Sequence, residues 1–259
     1  MEMNATHTSL VAIGDSFTEG MSDRLPDGSY RGWADVLAGR MAAREPGFRY
    51  ANLAVRGKLI AQIVDEQVDA AVAMRPDVVT LVGGLNDTLR PKCDMGQVKD
   101  LLEEAVVRLA PSCQRLVLMR SPGRQGPVLA RFRPRMEELF AHIDTLAARH
   151  DALVVDLYGA DVLGDQRMWD VDRLHLTREG HGRVAEAVWQ TLGYEPEDDW
   201  RSPLPPAVPP GWLTRRRADA RFAREHLGPW IGRRLTGRSS GDGLPPKRPE
   251  LLPWDPARP

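Results

Sequence analysis

The 259-residue sequence predicts an α/β protein, a doubly wound parallel sheet with helices on both faces. Three observations carry that expectation. Five short apolar runs recur between Ser9 and Asp156. Each is continuous rather than alternating, as a strand buried on both faces requires. Between them lie longer segments whose apolar residues return at helical spacing.

Ser9–Ile13 is the first strand expected. Trp33, Val36, Leu37 and Met41 follow at helical spacing, with Arg40 the polar exception. Phe48–Leu53 is the second strand, followed by a helix marked by Ile60, Ile63, Val64, Val68 and Ala71. Val78–Val82 is the third. Its helix carries the stripe Val98, Leu101, Leu102, Ala105, Val106 and Leu109, with Asp94 as N-cap and Gln97 three residues on. Leu116–Met119 is the fourth strand. Met136, Leu139, Phe140, Ile143 and Leu146 mark the next helix, with Pro134 placed in its first turn. Leu153–Asp156 closes the strand series. His181, Val184, Ala185, Val188 and Leu192 mark a last helix, capped by Thr177.

Composition and charge divide the chain. Residues 201–259 carry 12 Lys+Arg against 5 Asp+Glu, a net of +7, while residues 1–200 carry 23 against 31, a net of −8. Thirteen of the 21 prolines fall after residue 195. We therefore read residues 1–195 as one folded domain, the one that holds the motifs described next. Residues 196–259 read as a Pro/Arg-rich extension, partly packed on that domain through tryptophans at 200, 212, 230 and 254. Ser202 to Gly211 is expected to be extended, and Gly237 to Pro246 irregular. The whole chain is 42% apolar and 27% charged with net charge −1, which speaks against a dedicated nucleic-acid binder. Met1 to Ser9 is polar, and no run approaches the roughly 20 apolar residues that span a bilayer. With only Cys93 and Cys113, no disulfide framework is expected, and a cytoplasmic location with free thiols follows as the expectation.

Three short stretches supply complementary chemistry. Gly14-Asp15-Ser16-Phe17 follows the first strand, and Gly84-Leu85-Asn86-Asp87 follows the third. Asp172-Arg173-Leu174-His175 precedes the last helix. In a doubly wound sheet, ligands bind beyond the carboxyl ends of the strands at the switch point, and these stretches fall there or in the loop before the last helix. A serine hydroxyl needs a base, so Ser16 is the candidate nucleophile and His175 the candidate base. Asp172 is three residues from His175 and is placed to orient it. Acyl transfer needs N–H donors at the developing oxyanion. The Asn86 side chain and the backbone N–H groups of Gly57 and Ser16 are the candidates. Trp169, shortly before Asp172, is a candidate pocket wall. Met21 to Gly32 is a candidate pocket loop or an ordinary connector, and Arg120 to Gln125 is a candidate loop at the mouth of the site. Asp15 and Asp87 read as loop supports, and His181 as a packed helix histidine. The remaining histidines are scattered, with no zinc spacing, and Gly83-Gly84 lacks the Lys-Ser/Thr of a phosphate loop, so no metal or cofactor is expected.

On these residues the chain resembles the SGNH hydrolases, also called GDSL esterases/lipases. Gly14-Asp15-Ser16-Phe17 is similar to the first block of that family, with Phe for the usual Leu. Asn52-Leu53-Ala54-Val55-Arg56-Gly57 is similar to the second, Gly84-Leu85-Asn86-Asp87 to the third and Asp172-Arg173-Leu174-His175 to the fourth. The resemblance covers about residues 8 to 193. It implies a flavodoxin-like three-layer α/β/α sandwich with a five-stranded parallel sheet. It further implies a serine esterase acting on small-molecule carboxylic esters without a cofactor. It leaves open an acyltransferase on the same triad, and the basic extension leaves open a non-catalytic binding protein.

Overall fold

The five apolar runs become β1 (Ser9–Gly14), β2 (Arg49–Asn52), β3 (Val78–Val82), β4 (Arg115–Arg120) and β5 (Leu153–Asp156). They belong to a computed structural model that describes residues 6–122, 130–207, 211–228 and 240–256. All four pairings among these strands are parallel. The order β5-β4-β3-β1-β2 puts β1 between β3 and β2. The chain leaves β1 toward β2, then crosses to β3 on the other side. The switch point therefore lies beyond the carboxyl ends of β1 and β3, where such sheets place ligands.

Period-two side-chain alternation divides each strand between two cores. From β1, Leu10 and Ala12 join one core while Val11 and Ile13 join the other. The first core is covered by helices Trp33–Arg44 and Arg178–Thr191. The second is covered by Met95–Leu109, Arg133–His150 and a helix over residues 60–74. That last helix contains a π-helical turn, Val64–Val68. Asp94 caps its helix by accepting from Gln97 N–H at 3.2 Å, and Thr177 caps the last by accepting from Gly180 N–H at 3.3 Å. No helix among the described residues is long and apolar enough to cross a membrane.

A sixth strand comes from the Pro/Arg-rich segment. β6 (Arg248–Pro253) adds antiparallel to the β2 edge, pairing Tyr50 with Leu252 and Asn52 with Arg248, with an irregularity between the two pairs. The five parallel strands are the expected ones, and the sheet is larger by this strand. Pro249 and Pro253 disguise it in the sequence; proline is tolerated there because the strand lies at an edge. Trp254 packs on the first core beside Tyr50, with ring centroids 5.7 Å apart. Trp200 is buried, Trp212 is 62% exposed, and Trp230 lies outside the described residues. Helix Trp212–Phe222 buries none of its residues and touches the rest through Arg173, which pairs with Asp219 at 2.5 Å and lies over the Phe222 ring.

Candidate active site

Ser16 opens a single helical turn, Ser16–Glu19, directly after β1. Asp15 caps this turn, accepting from Phe17 N–H at 3.0 Å. Asn86 lies in a second short turn, Leu85–Thr88, just past β3. Adjacent strands thus present both residues on one side of the switch point. The Asn86 amide donates to Asp15 Oδ2 at 2.9 Å and to the Lys58 carbonyl at 3.1 Å. Those two acceptors fix which end of the amide is NH₂. They also draw three segments together, since Ser16 adjoins Asp15 and Gly57 adjoins Lys58. Gly57 has φ +75°, a conformation that favours glycine. No acceptor for the N–H of Ser16 or of Gly57 occurs among the described residues.

His175 and Asp172 lie on a tight loop before helix Arg178–Thr191. Trp169 and Leu176 pair across it, and Thr177 N–H donates to the Met168 carbonyl at 2.8 Å. His175 Nδ1 is 2.6 Å from Asp172 Oδ2, while Asp172 Oδ1 accepts from the N–H groups of Leu174 and His175 at 2.9 and 3.0 Å. Burial by itself would raise the Asp172 carboxyl. The hydrogen bonds and charge of His175, with the Leu174 N–H, outweigh it and hold the group below its ordinary value.

One cleft is lined by Ser16, Asn86, Trp169 and His175, with the buried Asp15 and His181 in its wall. Asp172 and Gly57 are outside the lining; Asp172 is bonded to His175, and Gly57 adjoins Lys58, whose carbonyl accepts from Asn86. Met21, Leu85, Leu89, Pro122 and Leu174 supply apolar walls. Met21 and Pro122 come from the two candidate loops; positions 123–125 of the second lie outside the described residues. Trp169 both lines the cleft and anchors its loop, its indole N–H donating to the Leu163 carbonyl at 2.8 Å.

Burial raises the Asp15 carboxyl to about 6, against the Phe17 N–H and the charge of His175, which lower it. Asp87 supports the neighbouring loop by accepting from Ile60 N–H at 3.0 Å. His181 is fully buried: its Nδ1 accepts from Trp33 N–H at 3.3 Å and its Nε2 donates to the Met21 carbonyl at 3.0 Å. Burial lowers its pKa to about 4. The unfolded chain then binds a proton that the fold refuses between about pH 6.5 and 4. This stability is fully present above about pH 6.5 and is lost on acidification, by about 3 kcal/mol on reaching pH 4. Denaturant unfolding at pH 7 and pH 4.5 should show a smaller loss for His181→Gln than for wild type.

Sequence reasoning missed several supports. Gln67, in the π-helical turn, grips the end of β1: its Oε1 accepts from Gly14 N–H at 2.7 Å and its Nε2 donates to the Gly14 carbonyl at 2.9 Å. Asn52 Nδ2 donates to the Thr18 carbonyl at 2.9 Å. The Glu19 carboxylate accepts from Arg56 N–H at 2.6 Å and pairs with its guanidinium. The only signal for Gln67 and Glu19 was a polar residue among buried neighbours.

The chain is similar to known proteins in sequence and in fold. Residues 12–183 match the model of the GDSL-like Lipase/Acylhydrolase family. Esterase TesA of Pseudomonas aeruginosa is 26% identical over 193 residues, covering 74% of this chain and 91% of that protein. An acetylxylan esterase of Geobacillus stearothermophilus is 25% identical over 217 residues, covering 72% and 94%. The crystal structure of the acetylxylan esterase Axe2, also from Geobacillus stearothermophilus, superposes with TM-score 0.62 at 21% identity, covering 75% of this chain and 98% of that one. LAE5, an α/β hydrolase from the metagenome of Lake Arreo, gives TM-score 0.58 at 24% identity, covering 73% and 96%. The two structural likenesses speak to the fold; the family match spans well over half of the sequence. The chain belongs to the GDSL-like lipase/acylhydrolase family of carboxylic ester hydrolases.

Proposed function

We propose that this chain is a serine esterase in which Ser16, His175 and Asp172 act as a triad on small-molecule carboxylic esters. The observation that carries the reading is the 2.6 Å contact of Asp172 Oδ2 with His175 Nδ1, on a ring that lines the same cleft as Ser16 and Asn86. Asp172 fixes the proton on Nδ1 and leaves Nε2 as the base. Ser16 Oγ bonds to the ester carbonyl carbon as its proton passes to Nε2. The carbonyl π electrons become the oxyanion, which the Ser16 N–H, the Gly57 N–H and an Asn86 N–H receive. Asn86 must share or release one of its two present acceptors to do so. Collapse of this intermediate breaks the bond to the alkoxy oxygen, and His175 protonates the leaving alcohol. Water then attacks the acyl-enzyme with the same base, releasing the acid and restoring Ser16. Apolar walls favour an uncharged acyl group, and both named relatives are esterases.

Asn86→Ala tests the oxyanion assignment without touching the triad. On a chain-length series of p-nitrophenyl esters, kcat should fall roughly a hundredfold or more, with KM little changed. Near-wild-type kcat would remove Asn86 from the reaction. The chain length that wild type prefers would size the acyl pocket.

A further inference from the structure

The family match ends at residue 183, yet the segment that contributes β6 reaches the elements that carry the reaction. Lys247 Nζ is the point of contact. It donates to the Glu19 carbonyl at 2.7 Å, to the Tyr30 carbonyl at 3.1 Å and to Asp35 Oδ2 at 2.5 Å. The three donors of the ammonium are thereby matched by three acceptors. Asp35 is 1% exposed; its carboxylate also accepts from Gly32 N–H at 2.8 Å and from Tyr50 OH at 3.2 Å. Glu19 closes the helical turn that Ser16 opens. The preceding carbonyl, Thr18, is held by Asn52. Two successive carbonyls at the end of the nucleophile turn are thus pinned by side chains, one from β2 and one from the C-terminal segment.

The same segment presses on the loop that carries Gly57. A Cβ placed on Gly241 would lie 2.1 Å from the Arg56 carbonyl oxygen, so only glycine permits this approach of the two backbones. Arg56 is in turn bound through its N–H and guanidinium to the Glu19 carboxylate. Glu19 therefore receives the C-terminal segment through its carbonyl and the oxyanion loop through its side chain.

We infer that the C-terminal segment, residues 240–254, is a working part of the active site, and that Lys247 is a positioning residue for Ser16 and the oxyanion donors. This rests on the esterase reading above. The ammonium does not touch the reacting atoms; it fixes the carbonyl end of a one-turn helix whose first N–H, that of Ser16, is the proposed oxyanion donor. Preorganised donors lose effect when displaced by a fraction of an ångström, so releasing that end should lower kcat more than substrate affinity.

The test must separate positioning from the burial of an unpaired carboxylate. Full-length wild type, Ser16→Ala, Asp35→Asn and Asp35→Asn/Lys247→Met would be compared for kcat and KM on p-nitrophenyl acetate and for melting temperature. Asp35→Asn keeps the two carbonyl contacts of Lys247 and removes the charge that the methionine would strand. We expect the double variant to melt near Asp35→Asn. Its kcat should be at least tenfold lower, with KM within about twofold. Equal kcat in the two would overturn the inference and leave Lys247 as a partner of Asp35 alone, with Ser16-dependent turnover intact. Should the double variant not fold, Gly241→Val carries the same test through the Arg56 contact: a several-fold lower kcat supports the inference, an unchanged one overturns it. A wild type whose turnover survives Ser16→Ala, or that has none, would fail the esterase reading and this inference with it.

Discussion

Ser16→Ala should lower kcat on p-nitrophenyl esters by about 10⁶-fold, the size expected when a triad nucleophile is lost. The substitution removes one oxygen from a half-buried position at the start of a turn. Asp15 still caps that turn, Asn52 still holds Thr18, and Gln67 still holds Gly14, so the fold should persist with an unchanged melting temperature. Whatever rate remains would come from the oxyanion donors and the cleft acting on water alone. Steady-state kinetics on purified wild type and variant check it, with the melting curve run beside them. A fall of tenfold or less would mean that another group begins the reaction.

Asp172→Asn should cost about 10⁴-fold in kcat while leaving the loop in place. Asn keeps an oxygen for the N–H groups of Leu174 and His175, so the backbone contacts survive. Its NH₂ then faces His175 Nδ1 as a donor. The imidazole must answer by accepting at Nδ1, which moves its proton to Nε2 and leaves no base toward Ser16. The effect should therefore fall on kcat with KM nearly unchanged, and the proton-decoupled ¹⁵N signals of His175 should report the exchanged tautomer. A loss of only a few-fold would mean that Asp172 holds the loop and not the reaction.

Most of the candidate site was legible because its residues sit in short contiguous blocks. Ser16 and Asn86 each follow an apolar run that had to be a buried strand, and the doubly wound order brings the ends of β1 and β3 together. Asp172 and His175 are close in sequence, so their contact needed only a turn. What was not legible depends on long-range contact. Lys247 and Asp35 meet across 212 positions, and neither sits in a motif. Gln67 reads as an ordinary polar position on a helix until the π-helical turn directs it at Gly14. β6 was hidden by its prolines, and an edge position that tolerates them is visible only once the sheet order is known. Gly57 was named through its block, but its nearness to Asn86 depends on the Lys58 carbonyl, which no sequence pattern records.

The most direct measurement is the site of covalent modification. Wild type would be treated with a fluorophosphonate, in which the nucleophile attacks phosphorus and fluoride leaves, and the adduct would be located by peptide mass mapping. The account predicts one adduct, on Ser16, formed in step with loss of esterase activity and strongly slowed in Asp172→Asn. Loss of activity with Ser16 unmodified, or an adduct on another residue, would contradict it.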